Sequence, residues 1–207
     1  MKVFYIMDTM CGWCYGFSRT INRIYEVFKN DFDFILNPGG MWVGEDIKTV
    51  DKEFSIEILS YNEEISELSG AEFGAAFEKN ILRNYGMVLD SMPGAKAVVL
   101  IQILKNEIKF EYLKKIQDAF FMNGKNPNDW NLYAEIGQGF GLSKEEFRER
   151  FNSEEILKKT IEGFVFSRKL GVTGFPSLAV EKDGRTFLVS QGLVSFDDLE
   201  NILGEFI

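Results

Sequence analysis

The chain has 207 residues, of which 45% are hydrophobic and 27% are charged. This length suits one domain or a domain with a large insertion, and the composition excludes a disordered, collagen-like or disulfide-scaffold protein. Its 23 lysines and arginines against 32 aspartates and glutamates give a net charge of −9, which argues against nucleic acid or an anionic membrane as the main partner.

The first forty residues alternate between strand and helix patterns. Residues 3–7 form an apolar, β-rich run that predicts a buried strand. From Cys14 onward, apolar side chains recur at helical spacing and should face a sheet. This stripe consists of Phe17, Ile21, Ile24, Tyr25 and Phe28. A second apolar run at 32–36 ends at the turn residues 37–40, so we predict a strand–helix–strand unit.

Helical periodicity dominates the next part of the chain, where strand-like runs disappear. The predicted helices cover residues 72–82, 95–105, 110–121, 128–138, 144–151 and 154–170. Ser153 precedes the last of these helices as a plausible N-cap, and Gly171 follows it as a stop. Because no repeat or low-complexity linker interrupts this region, we interpret it as a helical subdomain inserted into a sheet domain.

The strand pattern returns after Gly174. Residues 176–180 and 186–189 are β-rich runs, and the turn between them contains an Asp-Gly pair, which is typical of a hairpin. Ser195 could cap a final helix whose apolar face includes Leu199.

The predicted fold class is therefore α/β, with the order βαβ, helical insertion, ββα. Residues 1–44 and 171–207 would form the sheet domain. Residues 45–170 would form the large all-helical insertion.

Histidine is absent from the sequence, and cysteine occurs twice. The missing histidine excludes Ser-His-Asp and Cys-His catalysis and a histidine-ligated metal. Cys11 lies at or just before a helix N-terminus, where free N–H groups and the helix dipole stabilise a thiolate. Cys14, one turn later on the same face, could attack a mixed disulfide at Cys11. Gly12 allows a tight turn, and Trp13 offers an apolar surface as a substrate contact or a lid.

Three other interpretations of the cysteine pair are weaker. A structural zinc site needs four ligands, and the chain has neither histidine nor further cysteines to supply them. A structural disulfide across so short a loop gains little chain entropy and would be reduced in the cytosol. Two inert core cysteines are the third alternative. The spacing and the strand–helix context favour a redox-active pair with no bound metal and no bound cofactor.

The amino-terminal stretch predicts a cytoplasmic protein. Residues 1–8 carry one positive charge and are too short for the apolar region of a signal peptide. The most apolar later stretch, residues 95–104, contains Lys96 and Gln102 and is shorter than the roughly 18 residues that a membrane span needs. We therefore expect no membrane contact, and thiols that rest in the reduced state.

Two segments resemble the DsbA family of thioredoxin-fold oxidoreductases, and the FrnE-like branch most closely. Residues 8–17 read Asp-Thr-Met-Cys-Gly-Trp-Cys-Tyr-Gly-Phe, similar to that branch's Asp-Pro-Met-Cys-Ser-Trp-Cys-Trp-Gly-Phe. Residues 171–178 read Gly-Val-Thr-Gly-Phe-Pro-Ser-Leu and precede the predicted hairpin. The resemblance covers essentially the whole chain, and it implies a thioredoxin fold with a helical insertion.

The resemblance also implies a role for each matching residue. Cys11 would be the nucleophile and Cys14 the resolving cysteine. Pro176 would carry a cis peptide bond that faces the disulfide. Beside it, Gly174 and Phe175 would contact the substrate, and the backbone of Phe175 would pair with an extended chain as in strand addition.

The implied activity is thiol–disulfide exchange, with oxidation or isomerisation of protein disulfides as its typical forms. Glutathione or a partner reductase or oxidase would serve as the redox co-substrate. The expected substrates are proteins or small thiols and disulfides.

Two alternatives stay open. Kappa-class glutathione transferases and 2-hydroxychromene-2-carboxylate isomerases share this layout, but they typically place a single serine near the first cysteine position. Cys14 would then have no obvious role. The other alternative is a non-catalytic, peptide-binding redox adaptor that uses the groove around Trp13 and Phe175.

The sequence departs from the strongly oxidising periplasmic members in two respects. Those members resemble Cys-Pro-His-Cys, whose histidine favours the thiolate, whereas Gly12 and Trp13 are uncharged. A buried acid often stands six residues before the first cysteine, and Tyr5 occupies that position here. The nearest carboxylate is Asp8, which we expect to cap the turn before the helix, with proton transfer as the alternative. We predict a milder oxidant than the periplasmic enzymes.

Overall fold

The computed structural model describes residues 1–207, which form six strands and nine helices. The strands are β1 (Lys2–Met7), β2 (Asp33–Pro38), β3 (Lys48–Thr49), β4 (Val88–Leu89), β5 (Ser177–Lys182) and β6 (Arg185–Gln191). The helices are α1 (Gly12–Phe28), α2 (Lys52–Ser69), α3 (Ala75–Phe77), α4 (Met92–Leu104), α5 (Lys109–Phe121), α6 (Trp130–Gln138), α7 (Lys144–Phe151), α8 (Glu154–Lys169) and α9 (Phe196–Gly204). A π-helical turn, Glu78–Leu82, continues α3.

The main sheet has four strands in the order β2-β1-β5-β6. Strand β1 runs parallel to β2 and antiparallel to β5, so that Val3 lies opposite both Phe34 and Val180. Because β1 is central and covered on both faces, its side chains form a continuous apolar run rather than an alternating one. The predicted hairpin is confirmed: Asp183 and Gly184 have φ values of 53° and 72°, as a two-residue primed turn requires.

Helix α1 packs its predicted stripe on this sheet. Phe17, Ile21, Ile24 and Phe28 are all buried in the main apolar core, together with side chains of β1, β2 and β5. Since these positions recur every three or four residues, one face of the helix supplies them all. The predicted strand–helix–strand unit is therefore confirmed, and it fixes where the helix begins relative to the sheet.

The helical insertion contains two features that the sequence did not predict. The first feature is helix α2. Its N-cap residue, Asp51, accepts a hydrogen bond from the N–H of Phe54 at 2.8 Å. The other is a two-stranded ladder in which β3 and β4 pair in antiparallel orientation, so the insertion is helical apart from this ladder. Strands of two residues are too short to show the alternating pattern that identifies a strand.

Helix α8 packs against the sheet as well as against its neighbours in the insertion. The side-chain amide of Asn37 in β2 donates to the carbonyl of Gly163 and to the hydroxyl of Ser167, each at 3.0 Å. The division at residues 45 and 170 remains a prediction. None of the helices is both long and apolar enough to cross a bilayer.

Candidate active site

The two cysteines lie at the start of α1, where β1 leads into the helix. Cys11 is the N-cap residue, and its Sγ accepts a hydrogen bond from the N–H of Cys14 at 3.4 Å. Both thiols are free. Cys11 is 5% exposed whereas Cys14 is fully buried, so Cys11 is the more accessible of the two residues. This is the arrangement that thiol–disulfide exchange needs, with one attacking sulfur and a second one behind it.

Burial controls the ionisation of the inner thiol. It raises the pKa of Cys14 well above the ordinary value for cysteine, and the adjacent Cys11 sulfur raises that pKa further. Cys14 therefore rests as a neutral thiol and becomes a nucleophile only when its proton is removed.

Tyr5 of β1 is buried in the same apolar core as the two cysteines. It is fully buried, and its hydroxyl has no hydrogen-bond partner in the dithiol form. Burial raises the pKa of Tyr5 well above its usual value, and the Cys14 and Cys11 sulfurs add to the rise. The hydroxyl therefore keeps its proton, and it can donate a hydrogen bond to a thiolate that forms beside it.

Asp8 organises the turn that precedes Cys11. One carboxylate oxygen accepts from the N–H of Met10 at 3.0 Å, and the other accepts from the N–H of Met41 at 2.9 Å. The carbonyl of Asp8 also accepts from the N–H of Cys11 at 3.2 Å. Burial raises the pKa of Asp8, while the two N–H donors oppose that rise. The expectation that Asp8 caps this turn is confirmed.

The loop before β5 faces Cys11 from the other side. The Phe175–Pro176 peptide bond is cis, as the resemblance implies. The thiol of Cys11 donates to the carbonyl of Phe175 at a distance of 3.7 Å. Gly174, half-buried, accepts at its carbonyl from the hydroxyl of Ser177 at 2.7 Å. The structure thus brings Cys11, Cys14 and this loop together, although they are about 160 residues apart in sequence.

The ring of Phe175 is held by close packing on Gly39. A Cβ atom at residue 39 would lie 2.0 Å from Cε1 of Phe175, which is far inside contact distance. Only glycine leaves room for the ring at this position, because any side chain would displace it. The turn after β2 therefore helps to set the position of the loop that faces Cys11.

Trp13 lies next to residues of the insertion. It is half-buried, and together with Cys11 it lines an apolar cavity of about 160 Å³. Phe54, Ile58 and Ile65 of α2 form part of the opposite wall. Sequence reasoning missed these three residues because it missed the helix that carries them; the Asp51 cap signal was present in the sequence.

No three side chains of histidine, cysteine, aspartate or glutamate converge closely enough to hold a metal ion.

Comparisons with known proteins place this geometry in a family. A family model described as the DSBA-like thioredoxin domain matches residues 2–204. A protein from Nitrosomonas europaea, assigned as a protein disulfide isomerase, superposes with a TM-score of 0.90 at 25% identity, covering 100% of this chain and 98% of that chain.

Two further relatives are similar along this whole chain. The cytosolic disulfide reductase DsbM from Pseudomonas aeruginosa superposes with a TM-score of 0.82 at 28% identity, covering 100% of this chain and 98% of its own. DsbM has also been solved with glutathione. The ClpXP adapter protein SpxH of Bacillus subtilis (strain 168) is 20% identical, covering 100% of this chain and 68% of its own length.

Proposed function

The chain belongs to the DSBA-like thioredoxin domain family, and from that premise we propose that it is a thiol–disulfide oxidoreductase that works through Cys11 and Cys14. The observation that carries the proposal is the unequal position of the two free thiols. Cys11 is the thiol that retains exposed surface, and Cys14 is buried behind it. A disulfide arriving from outside would meet Cys11 first.

The proposed cycle has two exchange steps. The Cys11 thiolate attacks one sulfur of the substrate disulfide, and the other sulfur leaves as a thiolate and takes up a proton. The Cys14 thiolate then attacks Cys11 Sγ, which forms the internal disulfide and releases the second thiol. The N–H of Cys14, which donates to Cys11 Sγ at 3.4 Å, would stabilise the Cys11 thiolate that attacks in the first step.

The loop that contains Gly174, Phe175 and Pro176 would hold the substrate during the first step. Its support is the 3.7 Å contact between Cys11 Sγ and the Phe175 carbonyl, which puts backbone polar groups next to the reacting sulfur. An extended peptide could pair with these groups as an added strand. Trp13 would cover the opposite side of the reacting sulfur.

We further propose that the physiological direction is disulfide reduction in the cytoplasm, with glutathione as the electron donor. The support is the similarity to a protein whose name is cytosolic disulfide reductase and which has been solved with glutathione. Gly12 and Trp13 also add no positive charge between the cysteines, so the dithiol gains no ion-pair stabilisation from them.

The test is an assay of insulin reduction and of bis(2-hydroxyethyl) disulfide reduction with glutathione. The wild type should be active and Cys11→Ser should be inactive, and Cys14→Ser mixed with the substrate disulfide before glutathione is added should hold the mixed disulfide on Cys11. Equal activity in the wild type and in Cys11→Ser would contradict the proposal. Glutathione conjugation to an electrophile by Cys11→Ser would favour the transferase class, and peptide binding without turnover would favour an adaptor.

A further inference from the structure

The apolar cavity beside Cys11 has walls of aromatic and aliphatic side chains. They come from the start of α1, the turn after β2, α2, α3 with its π-helical turn, β4 and α5. No charged residue lines the cavity. Its lining residues carry few polar side-chain groups, which are the Cys11 thiol, the indole N–H groups of Trp13 and Trp42, the Tyr61 hydroxyl and the Asn62 amide. The side of the site next to Cys11 Sγ is therefore apolar and offers no partner for a charged ligand.

This chemistry selects the kind of group that could enter. Glutathione carries two carboxylates and an ammonium group, and a cavity without charged partners would strip them of water without replacing it. An apolar group gains from the same transfer. The volume of about 160 Å³ is close to the roughly 150 Å³ of an engineered apolar cavity that binds benzene. The cavity therefore fits one benzene-sized group.

The position of the cavity ties it to the exchange reaction. Cys11 and Trp13 line it, whereas Phe175, whose carbonyl contacts Cys11 Sγ, does not. Cys11 thus lies between the cavity and the loop before β5. A Cβ atom on Gly12 would lie 3.0 Å from Cδ1 of Ile65, so glycine lets α2 approach the cysteines this closely. Protein interiors seldom leave such space unfilled.

We propose that this cavity binds a benzene-sized apolar group that is attached close to one sulfur of a small disulfide substrate. This inference rests on the proposed function. Cys11 attacks the sulfur that bears the apolar group, and the polar thiol leaves and takes up a proton. The mixed disulfide holds the apolar group in the cavity until the Cys14 thiolate attacks Cys11 Sγ and the apolar thiol leaves with a proton. Two glutathione molecules then reduce the internal disulfide and leave as glutathione disulfide, which balances the two electrons.

The test compares two probes that differ only in the apolar group. These are the mixed disulfides of cysteine with 2-phenylethanethiol and with ethanethiol, both of which are simple alkyl thiols. With the wild-type protein and glutathione as reductant, kcat/KM should be at least tenfold higher for the phenylethyl probe. Equal kcat/KM values for the two probes would overturn the inference while leaving the proposed function intact. If neither probe nor insulin is turned over, the proposed function itself fails.

Two variants locate the effect in the cavity. Ile58→Trp replaces an aliphatic side chain in the cavity wall with a bulky indole ring that takes up the space for the apolar group. The ratio of the two kcat/KM values should therefore fall to about one. Ile58→Phe, a smaller intrusion, should give an intermediate ratio if the tryptophan variant folds poorly. Ile56→Trp is the matched control, because Ile56 lies on the exposed side of α2 and does not line the cavity. An unchanged ratio in both Ile58 variants would contradict binding of the apolar group in this cavity.

Discussion

Tyr5 and Cys14 are buried in the same apolar core, and both carry a group that can ionise. Cys14 must lose its proton to attack Cys11, although burial raises its pKa. Burial raises the pKa of Tyr5 as well, so its hydroxyl stays protonated while thiols exchange. A protonated donor beside a forming thiolate favours the charged form. We therefore predict that Tyr5 acts as a positioning residue, one that stabilises the Cys14 thiolate when it forms.

Replacing Tyr5 by phenylalanine should slow the second exchange step by roughly ten- to a hundredfold, because a hydrogen bond to a charged group contributes roughly 1.5–3 kcal/mol. The rate at which glutathione is released from Cys11 should rise with pH in both proteins, since the pKa of Cys14 is raised. In Tyr5→Phe this pH profile should move to higher pH. Single-turnover decay of the mixed disulfide measures it.

The matched control is Tyr25→Phe, which removes a hydroxyl from α1 about three turns after Cys14. Its release rate and pH profile should equal those of the wild type. Tyr5→Phe should unfold at the same or a higher denaturant concentration than the wild type, because the wild-type hydroxyl is buried without a hydrogen-bond partner in the dithiol form. A Tyr5→Phe profile that coincides with the wild-type profile would contradict this role.

Two elements hold the loop before β5 against the cysteines: β5 itself and the turn after β2. The turn contributes Gly39, on which the ring of Phe175 packs. The loop carries the carbonyl that contacts Cys11 Sγ, so a displaced ring would move this carbonyl as well.

Gly39→Ala should lower the free energy of unfolding by about 1–3 kcal/mol, because the added methyl group overlaps the Phe175 ring. It should also reduce the rate with insulin more than the rate with bis(2-hydroxyethyl) disulfide, since only an extended chain needs the loop's backbone. Gly204→Ala is the control, because a Cβ atom there meets nothing within 4 Å. Equal losses with both substrates would contradict a role for the loop in binding extended chains.

The elements also differ in how well sequence alone predicts them. The stripe of α1 lies on one face, and the Asp183-Gly184 turn has a specific chemistry, so both were predictable. Helix α2 was not, because Ile56 and Leu68 are exposed while Ile65 is buried, and its apolar residues do not form a single stripe. The exposed apolar residues of α2 therefore obscure which face of the helix lines the cavity.

The same limit applies to the site. Cys11, Cys14 and Trp13 are adjacent in sequence, and the motif around Pro176 is specific, so the reacting groups could be predicted together. The cavity could not be, because its walls combine segments from Met10 to Phe121 that come together only in the folded chain.

Across the whole molecule, the cysteines lie where two apolar cores meet. Cys11 and Cys14 belong to the core on the sheet, whereas Met10 and Tyr15 belong to the second core, built with α2, α5 and the π-helical turn. The start of α1 therefore contributes side chains to both cores. Such a position keeps the reactive turn rigid on both sides while Cys11 retains exposed surface.

Composition and burial together predict the reduction potential of the cysteine pair. With no histidine anywhere in the sequence, no imidazolium can stabilise the dithiol form. The residue pair between the cysteines is uncharged, and Cys14 is held in its neutral form by burial. These features favour the internal disulfide more than the periplasmic motif does, so the reduction potential should be more negative than that of a strong oxidant.

The most direct test is a redox titration of the Cys11–Cys14 pair in glutathione buffers, followed by mass spectrometry of the alkylated protein. The internal disulfide should form and break reversibly, with a midpoint of roughly −180 to −270 mV, the range between disulfide isomerases and thioredoxin. A midpoint near the roughly −120 mV of the strong periplasmic oxidants would contradict the predicted direction of electron flow. A pair that never forms the internal disulfide would contradict the exchange mechanism altogether.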